Sequence, residues 1–187
     1  MLVSSSDPPL VVAAEMRLAD LSAWPRAGLK GAAATAWLKA RGAMLPDVHR
    51  ATVQPDGHVL ARLGPSEYLG LACTPDAVHP AGLPAFSVGG DNEPGLCPVP
   101  RFDANAWFVV VGSRAAEMLA KICGVDLRAK TFADATVAQT IVARASAIVI
   151  RDDLDGVLRY HLLVDRTMSA YLWDVLRDAM TEFSPQK

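Results

Sequence analysis

Ile141-Val142-Ala143-Arg144-Ala145-Ser146-Ala147-Ile148-Val149-Ile150 reads as one apolar strand, and it leads through the turn pair Asp155-Gly156 into a second strand, Val157 to Val164. That second strand breaks at Asp165-Arg166-Thr167 and gives way to a helix opening Ser169-Ala170-Tyr171-Leu172-Trp173. Met168, Tyr171, Leu172, Val175, Leu176, Ala179 and Phe183 recur at helical spacing, with Asp174, Arg177, Asp178 and Glu182 facing away. A hairpin running into an amphipathic helix needs a shared apolar core. None of its elements carries a catalytic signature, so the stretch points to folding and assembly.

The same alternation extends outward. Arg26 to Lys30 reads as a short strand entering a helix through Gly31, Ala34, Trp37 and Leu38, which ends near Arg41-Gly42. His49 to Gln54 and His58 to Leu63 flank Pro55-Asp56-Gly57 as a hairpin. Glu67 to Cys73 adds a third strand, giving an antiparallel meander. Trp107 to Val111 is a buried strand, followed by a helix with Ser113 as N-cap, Ala115, Met118, Leu119 and Ile122 on one face, and Gly124 as its stop. Gly31, Ala34 and Leu38 recur at equal spacing as Gly112, Ala115 and Leu119, which hints at duplication.

Residues 1–14 read as a flexible leader, because Ser4-Ser5-Ser6 and Asp7-Pro8-Pro9 oppose regular structure. Residues 15–187 then form a single domain with half-domains of about 15–100 and 101–187. Residues 74–100, rich in proline and glycine, read as a surface excursion with a short helix near Asp76 to Val78.

Composition narrows the function classes. Of the 187 residues, 51% are hydrophobic and 20% charged, a globular balance, and the net charge of -2 without a basic block argues against nucleic acid as a partner. Cys73, Cys97 and Cys123 are too few and too scattered for a disulfide framework or a zinc motif. No apolar run reaches the roughly 18 residues of a membrane span. The expectation is a cytoplasmic protein with no metal.

His161 reads as a sheet histidine hydrogen-bonded to its neighbours rather than a catalytic group. Asp20 reads as a turn cap, and Asp152, Asp153 and Asp155 as a solvated hairpin tip. Gly89-Gly90-Asp91-Asn92 joins no strand to a helix and lacks a phosphate cradle. Trp37, Trp107 and Trp173 belong to packed faces or an interface. Arg26, after Trp24-Pro25, would pair with Asp20 or with a carboxylate of a partner.

Taken in order, these landmarks resemble a known family. Asp20-Leu21-Ser22, Trp24-Pro25-Arg26 and Gly28-Leu29-Lys30-Gly31, then Arg62-Leu63-Gly64-Pro65-Ser66-Glu67-Tyr68, are similar to the gamma subunits of heterotetrameric sarcosine oxidase. So are Leu119-Ala120-Lys121, Cys123, Val125-Asp126-Leu127 and Phe132, followed by Ala138-Gln139-Thr140, Leu162-Leu163-Val164-Asp165-Arg166 and Tyr171-Leu172-Trp173. The resemblance covers most of residues 18–183. It implies an α+β fold of duplicated strand-helix units with antiparallel sheets, like the folate-binding domain of the glycine-cleavage T-protein (aminomethyltransferase).

The resemblance further implies a complex that oxidatively demethylates sarcosine to glycine and passes the one-carbon unit to tetrahydrofolate. FAD, FMN, NAD and the folate site would sit on larger subunits, with none of them on this chain. The partners would be alpha, beta and delta subunits. The family offers no catalytic motif to carry over, so Trp24, Arg26 and Trp173 stand as candidate interface residues, together with the 74–100 loop. A stand-alone folate-like binding protein is the alternative, and a free-standing aminomethyltransferase the third reading.

Overall fold

The computed structural model describes residues 9–13, 15–77, 83 and 94–183. Among these described residues, eleven strands fall into two sheets. They are β1 (Leu10–Ala13), β2 (Met16–Asp20), β3 (Arg26–Lys30), β4 (Ala51–Val53), β5 (Val59–Gly64) and β6 (Glu67–Leu71). These are followed by β7 (Cys97–Val99), β8 (Asn105–Gly112), β9 (Val137–Val142), β10 (Ala145–Arg151) and β11 (Arg159–Asp165). The α-helices are α1 (Ala34–Ala40), α2 (Ala115–Ala120) and α3 (Ser169–Met180). No helix among the described residues is long and apolar enough to cross a membrane.

The chain forms two units. One holds the described residues up to Ala23, Ala106–Asp134 and those from Thr140 onward; the other holds Trp24–Asn105 and Ala135–Gln139. Contiguous halves meeting near residue 100 are therefore not what the contacts give. The cause is strand pairing. β2 lies antiparallel to β8 with Met16 opposite Gly112 and Asp20 opposite Phe108, so the N-terminal strands belong with the C-terminal sequence.

In the first unit the sheet order is β1-β2-β8-β11-β10-β9. Residues Leu10–Ala13 form an antiparallel strand with β2, which corrects the leader reading for that part; residues 1–8 and 14 lie outside the described residues. The serine and proline run before it masks the β-favouring Leu10-Val11-Val12, which pairs with β2. The core is Leu18, Phe108, Val110, Leu119, Val149, Leu162, Leu172 and Leu176, each at or near zero exposure. The buried stripe of α3 is Leu172, Leu176, Ala179 and Met180, narrower than the periodicity predicts, since Tyr171 stays exposed.

Two turns of this sheet contrast. Asp155 (φ 50°) and Gly156 (φ 78°) close β10 onto β11, as the sequence announces. The stretch 141–150, expected as one strand, is instead split. Ala143 (φ 48°) and Arg144 (φ 66°) form a tight turn between β9 and β10, although neither is a residue that favours positive φ. A tertiary bond holds that turn: the Ala143 N–H donates to the Ile122 carbonyl at 2.7 Å. Helix α2 also starts and ends differently from expectation. Ser113 donates its hydroxyl to Glu15 at 2.5 Å instead of capping, Arg114 takes the N-cap place, and the helix closes at Lys121 rather than Gly124.

In the second unit the order is β4-β5-β6-β3-β7, which contains the expected β4-β5-β6 meander. Helix α1 packs Ala34 and Leu38 against Ala27, Leu29, Leu60, Tyr68 and Leu83. Of the proline-rich stretch, Leu83 is wholly buried and Cys97–Val99 forms edge strand β7; residues 78–82 and 84–93, including Val78 and the Gly89-Gly90 run, lie outside the described residues.

The repeated Gly-x-x-Ala-x-x-x-Leu spacing has a structural counterpart. Gly31 (φ 132°) follows β3 and Gly112 (φ 141°) ends β8, each leading into a helix. A Cβ on Gly31 would lie 2.1 Å from the Gly95 carbonyl oxygen, and one on Gly112 2.0 Å from that of Glu15. Gly95 lies just before β7, the antiparallel neighbour of β3, and Glu15 just before β2, the neighbour of β8. Each unit thus contains the same strand–glycine–helix joint, with buried alanine and leucine three and seven residues on.

Candidate functional site

Chemistry in this chain concentrates where β10, β11 and β8 meet. Trp107 on β8 donates its indole N–H to His161 Nδ1 at 3.1 Å, within the first unit. That bond makes Nδ1 an acceptor, so the imidazole proton sits on Nε2 and points at Asp152 Oδ2, 3.4 Å away. Asp152 is also ion-paired with Arg159. Trp107, Asp152 and His161 are all buried. Burial lowers the His161 pKa, a pull that the Asp152 carboxylate only partly offsets. Burial would raise the Asp152 carboxyl, but the His161 hydrogen bond and the Arg159 charge outweigh it and hold it below the ordinary range.

Beside this chain of bonds, Arg151 pairs with Asp153 at 2.5 Å and donates to the carbonyls of Phe132 (2.6 Å) and Ala129 (3.3 Å). The Asp153 N–H donates to Asp134 at 2.9 Å. Tyr160 donates to the Leu127 carbonyl at 2.6 Å, and burial pushes its phenol up to about 12. These bonds clamp the 127–134 segment to the hairpin. A solvated tip for Asp152 and Asp153 is thereby corrected: both carboxylates turn inward because arginines on the flanking strands meet them. Only Asp155 sits in the turn itself.

The remaining candidates are placed plainly. Asp20 caps its own turn, accepting the Ser22 N–H at 2.8 Å. Trp173 is half-buried with its ring 5.7 Å from Phe108, and Trp37 is half-buried under Arg41, 3.6 Å from the ring centre. Trp24 is half-buried and belongs to the second unit, whereas Trp173 belongs to the first.

Arg26 is 3% exposed. Its guanidinium donates to the carbonyls of Trp24 (2.7 Å), Phe102 (2.8 Å) and Asn105. It lies on a strand whose first four residues are all buried, so the side chain is enclosed and serves nearby carbonyls. A lysine offers one compact donor group where arginine offers a fork. Arg26→Lys should therefore lower stability by about 2 kcal/mol, the scale of one or two charge-assisted bonds. Urea denaturation at fixed pH measures it, and an unchanged midpoint would make the carbonyl fan incidental.

One property unites the buried polar residues. Arg26, Gln54, Arg151, Asp152 and His161 are the buried polar or charged side chains among the described residues. Each ends on a protein group; Gln54, for instance, exchanges bonds with the Met44 main chain at 2.9 Å in both directions. The sequence pattern had no means of finding this, since Asp152 and Arg159 are seven residues apart across a turn.

Against known structures, this architecture matches one chain of the heterotetrameric sarcosine oxidase from Corynebacterium sp. U-96 with a TM-score of 0.71, at 22% identity over 94% of this chain and 90% of that one. It also matches the glycine cleavage system aminomethyltransferase T from Bartonella henselae, with a TM-score of 0.61 at 14% identity. The fold is T-protein-like. The T-protein-like match to the aminomethyltransferase covers 88% of this chain but 46% of that protein, so the chain spans about half its length. No family model matches, and a search of curated proteins gives no match. At these identities the likeness establishes the T-protein-like fold and carries no residue roles.

Proposed function

We propose that this chain is a non-catalytic structural subunit of a sarcosine-oxidase-like complex, holding the place of the gamma subunit beside alpha, beta and delta partners. The reading is supported by a fold correspondence that runs nearly the whole length of both chains, 94% and 90%, with one chain of the heterotetrameric oxidase. The buried polar inventory agrees with it, because those five side chains are engaged with protein groups. The complex would oxidatively demethylate sarcosine to glycine, with one-carbon transfer to tetrahydrofolate. FAD, FMN, NAD and folate are assigned to the larger subunits. No chemical step is assigned to this chain.

The test is a tagged pull-down from the native host with co-purifying chains identified by mass spectrometry. The expected result is stoichiometric recovery of two larger flavin-bearing subunits and a small fourth chain. Recovery of the chain alone, from a lysate in which those subunits are expressed, would reject the reading. Thermal protection of the isolated chain by tetrahydrofolate would then favour a folate-binding role. In the assembled complex, Trp173→Ala should weaken either assembly or folding, since it removes the ring packed at a tilt against Phe108.

A further inference from the structure

The buried side-chain bonds between β8 and β11, neighbours in the sheet of the first unit, run donor to acceptor without a break. The Trp107 indole N–H donates to His161 Nδ1 at 3.1 Å, His161 Nε2 faces Asp152 Oδ2 at 3.4 Å, and Arg159 donates to that same carboxylate. This order holds only while the imidazole carries one proton, on Nε2. Trp107 is 1% exposed, so the bond it makes here is not readily exchanged for one to water.

A second proton has one place to go. It binds Nδ1, because an imidazolium is a donor at both nitrogens. The new N–H then faces the indole N–H, a group that only donates. Two donors cannot share the 3.1 Å separation, and one must turn away. At the other nitrogen the effect is opposite: the bond to the Asp152 carboxylate becomes charge-assisted on both sides. One proton thus strengthens one end of the imidazole and breaks the other.

The surroundings decide which end yields. The Asp152 N–H donates to the Arg159 carbonyl at 3.0 Å and the Arg159 Nε–H to the Asp152 carbonyl at 2.9 Å, so the carboxylate is pinned beside Nε2. Burial and the Arg159 charge on β11 oppose the second proton, and Asp152, just after β10, favours it. β8 contributes the uncharged indole. Helix α3, with Asp174, Arg177 and Asp178, lies on the other face of the sheet, since Trp173 meets Phe108 and side chains alternate along β8. The 127–134 segment lies on that other face too, because it bonds to Arg151 and Tyr160, each adjacent in sequence to the Ile150–His161 pair.

We propose that Trp107 and His161 form an acid-operated latch between β8 and β11, in which a proton taken up at Nδ1 expels the indole N–H from its bond while the imidazolium stays on Asp152. The Trp107 main chain is held, its carbonyl accepting from the Leu21 N–H at 2.8 Å and its N–H donating to Ser22 Oγ at 3.0 Å. Release is therefore a side-chain event inside a folded unit, distinct from a loss of overall stability in acid. The latch goes beyond the oxidase reading and does not rest on it.

The experiment is an NMR titration of the full chain from about pH 8 to about pH 4, following the His161 ring and the indole N–H signals of Trp24, Trp37, Trp107 and Trp173. The Trp107 signal should move, and its exchange with water quicken, at the midpoint of His161, while the other three hold. Trp107→Phe removes the donor that the neutral imidazole accepts from, so the His161 midpoint should rise by about one pH unit, the equivalent of one hydrogen bond. Asp152→Asn removes the charge that favours the second proton, so the midpoint should fall. Opposite shifts from two variants that each delete one bond are not what general destabilisation produces, and the parent titration needs neither variant to fold.

A Trp107 signal that stays in place while His161 titrates overturns the latch. So does a concerted change of all four indole signals as the chain unfolds, with no earlier step at Trp107. A His161 midpoint in Trp107→Phe at or below that of the parent overturns it as well. Failure of the pull-down, by contrast, bears on the oxidase reading alone.

Discussion

Gly112→Ala is expected to cost about 4 kcal/mol or more, which places it among the exceptional single substitutions. The added methyl would stand 2.0 Å from the Glu15 carbonyl oxygen and 2.8 Å from the Met16 Cα, both main-chain atoms of a strand paired to β8. A flexible side chain moves aside for such a methyl, but a paired strand moves only by breaking its ladder. The backbone at φ 141° adds a strain that alanine tolerates poorly. The small entropy gain of a stiffer unfolded chain does not compensate.

Gly31→Ala should behave alike in the second unit, with its methyl 2.1 Å from the Gly95 carbonyl oxygen. Gly124→Ala is the control, having nothing within 4 Å. Chemical denaturation of the three variants reads the result. A Gly112→Ala midpoint within error of the control would show that the glycine joint is not what holds the two elements together.

The second large effect concerns Asp152. Asp152→Ala is expected to lower stability by about 3 kcal/mol, because it strands the Arg159 charge and the His161 Nε2–H in a site where Asp152 is 7% and His161 4% exposed. Asp152→Asn keeps an acceptor for His161 but loses the attraction to Arg159, so it should fall between. If Asp152→Ala melts like the parent protein, the network contributes little.

The same network sets the response to acid. Folding holds His161 neutral with a lowered pKa, whereas the unfolded imidazole takes up a proton below about 6.5. Its contribution is complete above that pH and is lost as pH falls from there toward the folded pKa. Asp152 stays ionised in the fold below its ordinary 3.8, so its contribution is present above that value and is lost as pH falls through the folded pKa. Both act in one direction: acid destabilises. His161→Phe should be less stable overall and should lack the upper part of this loss. Stability curves from pH 8 to pH 4 for the two proteins, subtracted, isolate it from the other histidines, and parallel curves would sink the assignment.

Much of the fold was legible locally. The β3–α1 and β8–α2 units, the β4–β5–β6 meander and the strand-to-helix switch at Asp165 follow from turn residues and periodicity. At the switch, Asp165 accepts from the Thr167 N–H at 2.8 Å and from its hydroxyl at 2.6 Å, a bond set two residues long and hence written in sequence. The repeated glycine, alanine and leucine were legible as spacing, although their meaning as a clamp against a neighbouring strand was not. The site was less legible. Arg26 reads as a cation seeking a carboxylate, because charge is visible in a sequence and enclosure among main-chain carbonyls is not. Asp152 and Asp153 read as solvated because their arginine partners become neighbours only when the hairpin closes.

By itself, the sequence determined which segments are strands and helices, where Asp155-Gly156 turns the chain, and which faces are apolar. These depend on φ preferences and on hydrogen bonds spanning a few residues. Tertiary structure decided three things. It made Leu10–Ala13 a strand by offering β2, and it bent the chain at Ala143-Arg144 by supplying the Ile122 carbonyl. It also turned Trp107, His161, Asp152 and Arg159 into one bonded chain. In each case the deciding partner is distant in sequence, so the free energy that overrides local preference exists only once the sheets have formed.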